Sequence, residues 1–370
     1  MKNIPSPLFQ TFDPLFQEAI AANVFPGAAV GVCLNHGGCE KTFSSVWGKS
    51  SLLSDSPQIT RQTLFDLASL TKPLATTLAI LSLEQAGNIN LEDTLPTLLE
   101  NEEIGADKNN ITLRHLLNHC SGFAAHQPYY KKLIHIDPQK RKKWLLDAIL
   151  REQLDYQPAT ESVYSDLGFI LLGLIIERKS GLSLDDYVRL AVMEPVGLGD
   201  RIIFNPLAKK KTNFAATERC PWRNRVLSGE VHDDNTFVVG GVSGQAGLFG
   251  DIDSVLQLIT LLLDVLANKT KHPSFSAERL RYYCQRQDMV KGSSWALGFD
   301  TPSIEESSAG NYISSNSAGH LGFTGTSFWI DRDRRVAVVL LTNRVHPSRE
   351  NNQIKQFRPR FHDAFFSSLF

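Results

Sequence analysis

The 370-residue chain lacks most of the features that mark specialised protein classes. Cysteine is scarce. Cys33, Cys39, Cys120, Cys220 and Cys284 are an odd five, scattered, with no C-x-x-C pair. That spacing argues against a disulfide scaffold or a cysteine zinc site and predicts reduced, mostly buried thiols. Neither sign of charge dominates: 38 basic residues face 39 acidic ones, a net charge of -1. Such a balance gives no footing for a dedicated nucleic-acid or membrane-surface binder. Long apolar runs are missing too. Phe169 to Ile176 and Val255 to Leu266 are too short or too interrupted to span a bilayer. No Gly/Ser-rich or Pro-rich linker, repeat array, P-loop or strand-to-helix G-x-G-x-x-G is present, so no nucleotide site is expected. The N-terminus has no apolar h-region or small-residue cleavage site. Asp13 and Glu18 stand where apolar residues are needed, which makes a cytoplasmic protein the expectation.

What is present is an ordinary soluble composition, 42% hydrophobic and 21% charged. It excludes a disordered, collagen-like or coiled-coil chain. The period of the pattern changes along the sequence. Residues 8–23 read as a helix. Gly27 to Leu34 and Lys41 to Trp47 read as strands around a turn at His36-Gly37-Gly38. A long helical stretch follows. Pro73 to Gln85 closes at Gly87, and Thr112 to His119 has a threonine cap. Gln139 to Gln153 is basic on one side. Leu167 to Lys179 ends at Gly181, Ser183 opens a further helix, and Asp253 opens the helix that runs to Leu266. Ser294 to Phe299, Thr324 to Ile330 and Val336 to Thr342 return to a strand pattern, the last two joined by a turn at 331–334. Gln353 to Leu369 reads as a terminal helix. Strands at both ends with helices between predict an α/β fold: one antiparallel sheet flanked by the terminal helices, with an inserted, mostly helical domain. The expected boundaries are 1–65 and 294–370 for the sheet domain and 66–293 for the insertion, with a cleft where they meet.

Three stretches carry residue types suited to acyl chemistry. In Ser69-Leu70-Thr71-Lys72 the i and i+3 side chains share a helix face, so an amine can reach a hydroxyl and, if neutral, accept its proton. The motif alone is weak, since a chain this long shows an S-x-x-K about once or twice by chance. The plain alternative is a surface lysine near a capping serine. Tyr164-Ser165-Asp166 precedes a buried-looking helix. Its tyrosine reads as a proton relay and its aspartate as a partner of Lys72 or of a substrate amide; the alternative is a helix cap and a packed ring. His320-Leu321-Gly322, followed by Phe323, leads into the last hairpin. Glycine there permits close approach of a ligand, the Phe323 N–H suits an oxyanion, and His320 faces the cleft; the alternative is a bulged edge strand.

Other features read as structural. His115 and His119 are spaced i, i+4 but lack the glutamate of H-E-x-x-H, so no metal site is expected. The polar cluster from Val231 to Asn235 reads as a loop that lines the cleft or caps a turn. The basic runs Lys209 to Lys211 and Lys140 to Lys143 read as solvated faces.

In their order and surroundings these motifs resemble the serine β-lactamase and penicillin-binding-protein-like family, closest to its class C and esterase branch. That family carries S-x-x-K, then Y-x-N, then K-T-G or H-x-G. The flanking stretches Phe25 to Val32, Ile111 to Gly122, Tyr164 to Gly173, Gly240 to Phe249 and His320 to Ile330 also resemble it, so the likeness runs over residues 15–345. The resemblance implies an acylated Ser69 activated by Lys72, with Tyr164 as general base and shuttle. It also implies an oxyanion hole from the Ser69 and Phe323 N–H groups, supporting roles for His320 and Gly322, and a substrate contact at Gln127. Two departures stand out. Asp166 replaces the usual asparagine; it accepts but does not donate, and holds the Lys72 proton. His320 replaces a lysine and removes a fixed charge. The expectation is therefore a cofactor-free, metal-free serine hydrolase of a small-molecule ester or amide, esterase-like rather than a true β-lactamase. A D-amino-acid peptidase, lactamase or acyltransferase on the same scaffold, or a non-catalytic binding relative, is the alternative.

Overall fold

A computed structural model describes residues 7–36 and 39–369 of the chain. Its centre is a five-stranded antiparallel sheet in the order Cys39–Gly48, Gly27–His36, Val336–Thr342, Ser327–Asp331, Ser317–Leu321. The two ends of the chain thus meet at the middle of the sheet, where Val30 pairs with Leu340. The period of two sorts side chains onto opposite faces. Ala28, Val30, Val32, Val338 and Leu340 pack against Phe12 and Phe16 of the helix Pro7–Ala21 and Phe357, Phe361 and Phe365 of the helix Ile354–Ser367. Phe16 stacks on Trp47 with ring centroids 4.1 Å apart. Ala29, Cys33, Ala337, Val339 and Leu341 face the opposite way and join the core that holds Val255, Leu256 and Ile259 of the helix Ile252–Leu266. A Cβ at Gly31 would lie 3.1 Å from Leu256, so glycine lets this helix approach the strand closely. The helix lies within the stretch expected to form the insertion, yet it covers the sheet.

The helical layer is built around two segments buried on nearly every side. Residues Leu78 through Leu83 are all buried, as are Leu167 through Gly173. A helix apolar all round must lie inside the protein. Its ends follow the sequence signals: Thr112 caps Leu113–Leu117, Ser165 caps Asp166–Ser180, and Gly181 ends that helix at φ 72°.

Two expectations are corrected. Ser294 to Phe299 is not a strand. Trp295 and Asp300 bridge across a tight reversal that contains Gly298 at φ 74°, so a short apolar run marks a turn with buried side chains. The cap of the helix Ile252–Leu266 is Asp251, whose Oδ1 accepts from the Ser254 N–H at 2.8 Å; Asp253 instead holds Ser44 and Arg61. Of the expected turn at 36–38, Gly37 and Gly38 lie outside the described residues. Cys33, Cys120, Cys220 and Cys284 are buried, and the last three are free thiols. Among the described residues no helix is long and apolar enough to cross a membrane.

Candidate active site

The strand Phe65–Asp66 pairs with Leu248–Gly250 and delivers the chain to Ser69. Its Asp66 carboxylate, buried, accepts from the Ala68 N–H at 2.8 Å and the His232 N–H at 2.7 Å. Ala68 is thereby held at φ 48°, a left-handed conformation that costs a residue with a Cβ about 1 kcal/mol or more. The strain sits one residue before the serine. A short 3₁₀ turn over Ala68–Leu70 and a wide π-helical segment over Lys72–Thr77 follow, and such departures from α geometry are common at functional sites.

Lys72 is wholly buried, and its Nζ has three partners. It lies 3.2 Å from Ser69 Oγ, 2.7 Å from Asp166 Oδ1 and 3.2 Å from the Gln245 carbonyl oxygen. Tyr164 lies against this group, with Lys72 Nζ 4.6 Å from the centre of its ring. The Tyr164 ring stacks on Trp295 at 5.4 Å and lies 4.7 Å from the His119 ring. Ser69, Lys72 and Asp166, from two distant stretches, are thus joined by hydrogen bonds, with the Tyr164 ring packed against Lys72.

The protonation states follow from burial and charge. Burial alone favours a neutral Lys72 amine, but the charge and hydrogen bond of Asp166 outweigh it and hold its pKa above the ordinary value. Burial likewise pushes the Tyr164 phenol up, and the Lys72 ammonium only partly offsets this. Burial pushes the Asp166 carboxyl up as well, but Lys72 and His126 win and hold it below the usual carboxylate range. At rest the site therefore holds a hydroxyl, an ammonium, a phenol and a carboxylate. Asp166 also opens the helix Asp166–Ser180, where the N-terminal end of the macrodipole favours an anion.

The third stretch lies on the edge strand Ser317–Leu321. His320 is buried, its ring 6.0 Å from that of Tyr164. Its Nδ1 donates to the Leu321 carbonyl at 2.7 Å, and its Nε2 has no partner. Burial and the Lys72 charge push its pKa down to about 3, so the imidazole is neutral. Gly322 is needed for packing against the protein itself. A Cβ there would lie 1.9 Å from Thr326 Oγ1 and 2.8 Å from the Leu67 carbonyl, so glycine brings this turn against the segment that precedes Ser69. Phe323 is half exposed and stacks on His232 at 5.6 Å.

These residues line one cleft of about 710 Å³, which includes Ser69, Tyr164, Asp166, His320, Gly322 and Phe323. Gln127 is not among its lining residues; its carbonyl is tied to Asn235 at 2.8 Å, and the neighbouring His126 faces the cleft instead. Sequence reasoning misses His126, Gln245 and Trp295, none of which sits in a motif. It reads His119 as structural, and His119 does pack behind Tyr164. The 231–235 cluster has both readings at once: His232, Asp233 and Asp234 line the cleft, and Asp233 caps the helix Asp234–Val238. Among the described residues no group of three or more His, Cys, Asp or Glu side chains is placed to hold a metal ion.

The Beta-lactamase family model matches residues 12–358. A protein of Escherichia coli O157:H7 named "Putative D-alanyl-D-alanine carboxypeptidase" is 32% identical over 336 residues, covering 82% of this chain and 76% of its own. An N-acetylmuramyl-L-alanine amidase of Bacillus subtilis (strain 168) is 32% identical over 365 residues, covering 90% of this chain and 80% of its own. Among solved structures, EstCE1, a hydrolase with promiscuous acyltransferase activity, superposes with a TM-score of 0.75 at 20% identity, covering 97% of this chain and 98% of that one, a likeness of fold. With a match over nearly its whole length, the chain belongs to the beta-lactamase family of hydrolases.

Proposed function

We propose that this chain is a serine hydrolase that opens an ester or amide through an acyl-enzyme on Ser69, esterase-like rather than a true β-lactamase. The observation that carries the reading is the convergence of Ser69 and Tyr164 on one cleft, with Lys72 Nζ 3.2 Å from Ser69 Oγ and against the Tyr164 ring. Ser69 Oγ attacks the acyl carbon and the carbonyl pair moves onto its oxygen. Because the resting phenol is protonated, Tyr164 acts as a relay. It takes the serine proton as its own proton passes to the leaving alkoxide or amine, and the bond to the leaving group breaks. Lys72, kept charged by Asp166, stabilises negative charge that builds on the phenolic oxygen. Water then attacks the acyl carbon, and its proton returns through Tyr164 to Ser69 Oγ as the acid leaves. By the family resemblance, the Ser69 and Phe323 N–H groups hold the oxyanion.

Asp166 in place of asparagine and neutral His320 in place of lysine support a neutral, ester-like substrate. A second reading has its own support. Arg344 and Arg358 line the same cleft and donate to the backbone carbonyls of Phe323 and Gly322 rather than to carboxylates. Burial pushes their pKa values down to about 10 and about 9. Lys355, exposed, lines the cleft beside them. An anion is the natural complement of these three cations, which favours a peptidase acting on a substrate with a free carboxylate, in keeping with the names of the curated relatives. A fluorophosphonate probe tests the common core of both readings. Intact mass should show one adduct on wild type and none on Ser69→Ala; an unmodified wild type across a broad probe panel sinks them together.

A further inference from the structure

The Asp166 carboxylate is divided between an ammonium and an imidazole. Its Oδ1 receives Lys72 at 2.7 Å, and its Oδ2 lies 3.5 Å from Nδ1 of His126. His126 is nearly half exposed and lines the cleft, so it exchanges protons with solvent while touching the buried pair. Its position is fixed by the backbone on either side. The Asp166 N–H donates to the Ala125 carbonyl at 2.8 Å, and Ser165 Oγ donates to the Ala124 carbonyl at 2.7 Å. On the far side Asn235 Nδ2 holds the Gln127 carbonyl at 2.8 Å, and Asn235 Oδ1 accepts from the Tyr130 N–H. The loop is laced to the helix start at the point where the carboxylate needs a second partner.

We infer that His126 is a positioning residue that adds its own charge beside the Lys72–Asp166 pair, its imidazolium form being the one that supports acylation. The inference rests on the Ser69 hydrolase reading. With His126 neutral, Lys72 and Asp166 sum to zero. With His126 protonated, the three groups sum to +1 beside the reacting oxygens. The added charge stabilises an oxyanion and a developing phenolate, and it loosens the hold of Asp166 on Lys72. The groups that face His126 are Asp166 at the start of its helix and Asp233 and Asp234 across the cleft. Arg349 tempers Asp234, with its Nη2 3.3 Å from Oδ2. Hydrogen bonding to Asp166 and the charges of these three carboxylates outweigh burial and raise the His126 pKa above its ordinary value. The protonated form thereby persists to higher pH than in a free imidazole.

Two variants give opposite expectations for kcat/KM on a neutral p-nitrophenyl ester. In wild type it falls about tenfold as pH rises through the His126 pKa, a size fitting one unit charge acting across a partly screened cleft. His126→Gln lies near the low alkaline level at all pH values. His126→Lys, with a permanent charge, stays near the high level past the same pH. Retention of the wild-type limb in His126→Gln, or its absence from wild type, overturns the proposal. A second arm needs no turnover. The His126 ring, followed by NMR, should titrate at lower pH in Asp166→Asn than in wild type, and an unchanged titration also overturns the proposal. Loss of Ser69 labelling in wild type would instead count against the hydrolase reading, so the two failures are told apart.

Discussion

Lys72 Nζ and Asp166 Oδ1 meet at 2.7 Å beneath Ser69, joining residues 94 positions apart in the chain. The lysine side chain is fully buried and the aspartate about one-fifth exposed, so this carboxylate is what keeps an otherwise costly cation in place.

Asp166→Asn should therefore lower stability by about 2–4 kcal/mol at pH 7, because it leaves the ammonium buried without its counter-charge. The effect has a pH signature. Since the folded-state pKa of Asp166 is depressed, the stability it supplies is complete above its unfolded value, about 3.9, and is lost as pH falls through the folded one. Urea unfolding of both proteins at pH 7 and in acid should show the gap narrowing at low pH. A variant as stable as wild type at pH 7 would refute the pairing argument.

Tyr164→Phe should cut turnover by at least about a hundredfold. The loss should appear in kcat, and Ser69 modification by a fluorophosphonate should slow with it, since both require the serine proton to be carried away. Unchanged turnover in this variant would exclude Tyr164 as the relay.

His320 predicts a loss of stability in acid. Its pKa is pushed down to about 3, so the folded state binds the proton more weakly than the unfolded chain. Its contribution is complete above pH ~6.5 and drains away as pH falls toward about 3. By pH ~4.5 this amounts to about 2–3 kcal/mol. His320→Gln should lose less stability than wild type between pH 7 and pH 4.5, as read by thermal or urea unfolding. Parallel curves would mean the imidazole does not titrate in that window.

Gly322→Ala should destabilise by about 1–3 kcal/mol through overpacking. Pairing it with Thr326→Ala removes the contact at 1.9 Å but leaves the one of 2.8 Å to the Leu67 carbonyl, so recovery should be partial. Because the turn abuts the segment before Ser69, Ser69 labelling should slow in parallel. Full stability in Gly322→Ala would show that the turn has room to shift.

Lys355→Glu separates the two substrate readings. For a substrate with a free carboxylate KM should rise about tenfold, as charge reversal at a partly screened position implies, while its neutral methyl ester responds little. Equal effects on both substrates, or none on either, would remove the cation group from carboxylate recognition.

Much of the architecture was legible because it depends on local pattern. The alternation of Gly27 to Leu34 and of Val336 to Thr342, and the caps at Thr112, Ser165 and Gly181, each reflect a backbone preference that a few neighbouring residues settle. The stretch from Trp295 to Phe299 fails the same test. A short apolar run looks alike in a strand and in a tight reversal, and the left-handed Gly298 that distinguishes them donates to the Leu117 carbonyl and packs against Thr77, both far away in sequence.

The sequence by itself determined the residue types at each motif: a serine three positions before a lysine, a tyrosine two before an aspartate, a histidine two before a glycine. Tertiary structure alone decided their states. It buried Lys72 and tied it to Asp166, kept the Tyr164 phenol protonated and His320 neutral, and set His126 against the carboxylate. Protonation depends on desolvation and on charges a few ångströms away, and both arise only when distant segments pack together.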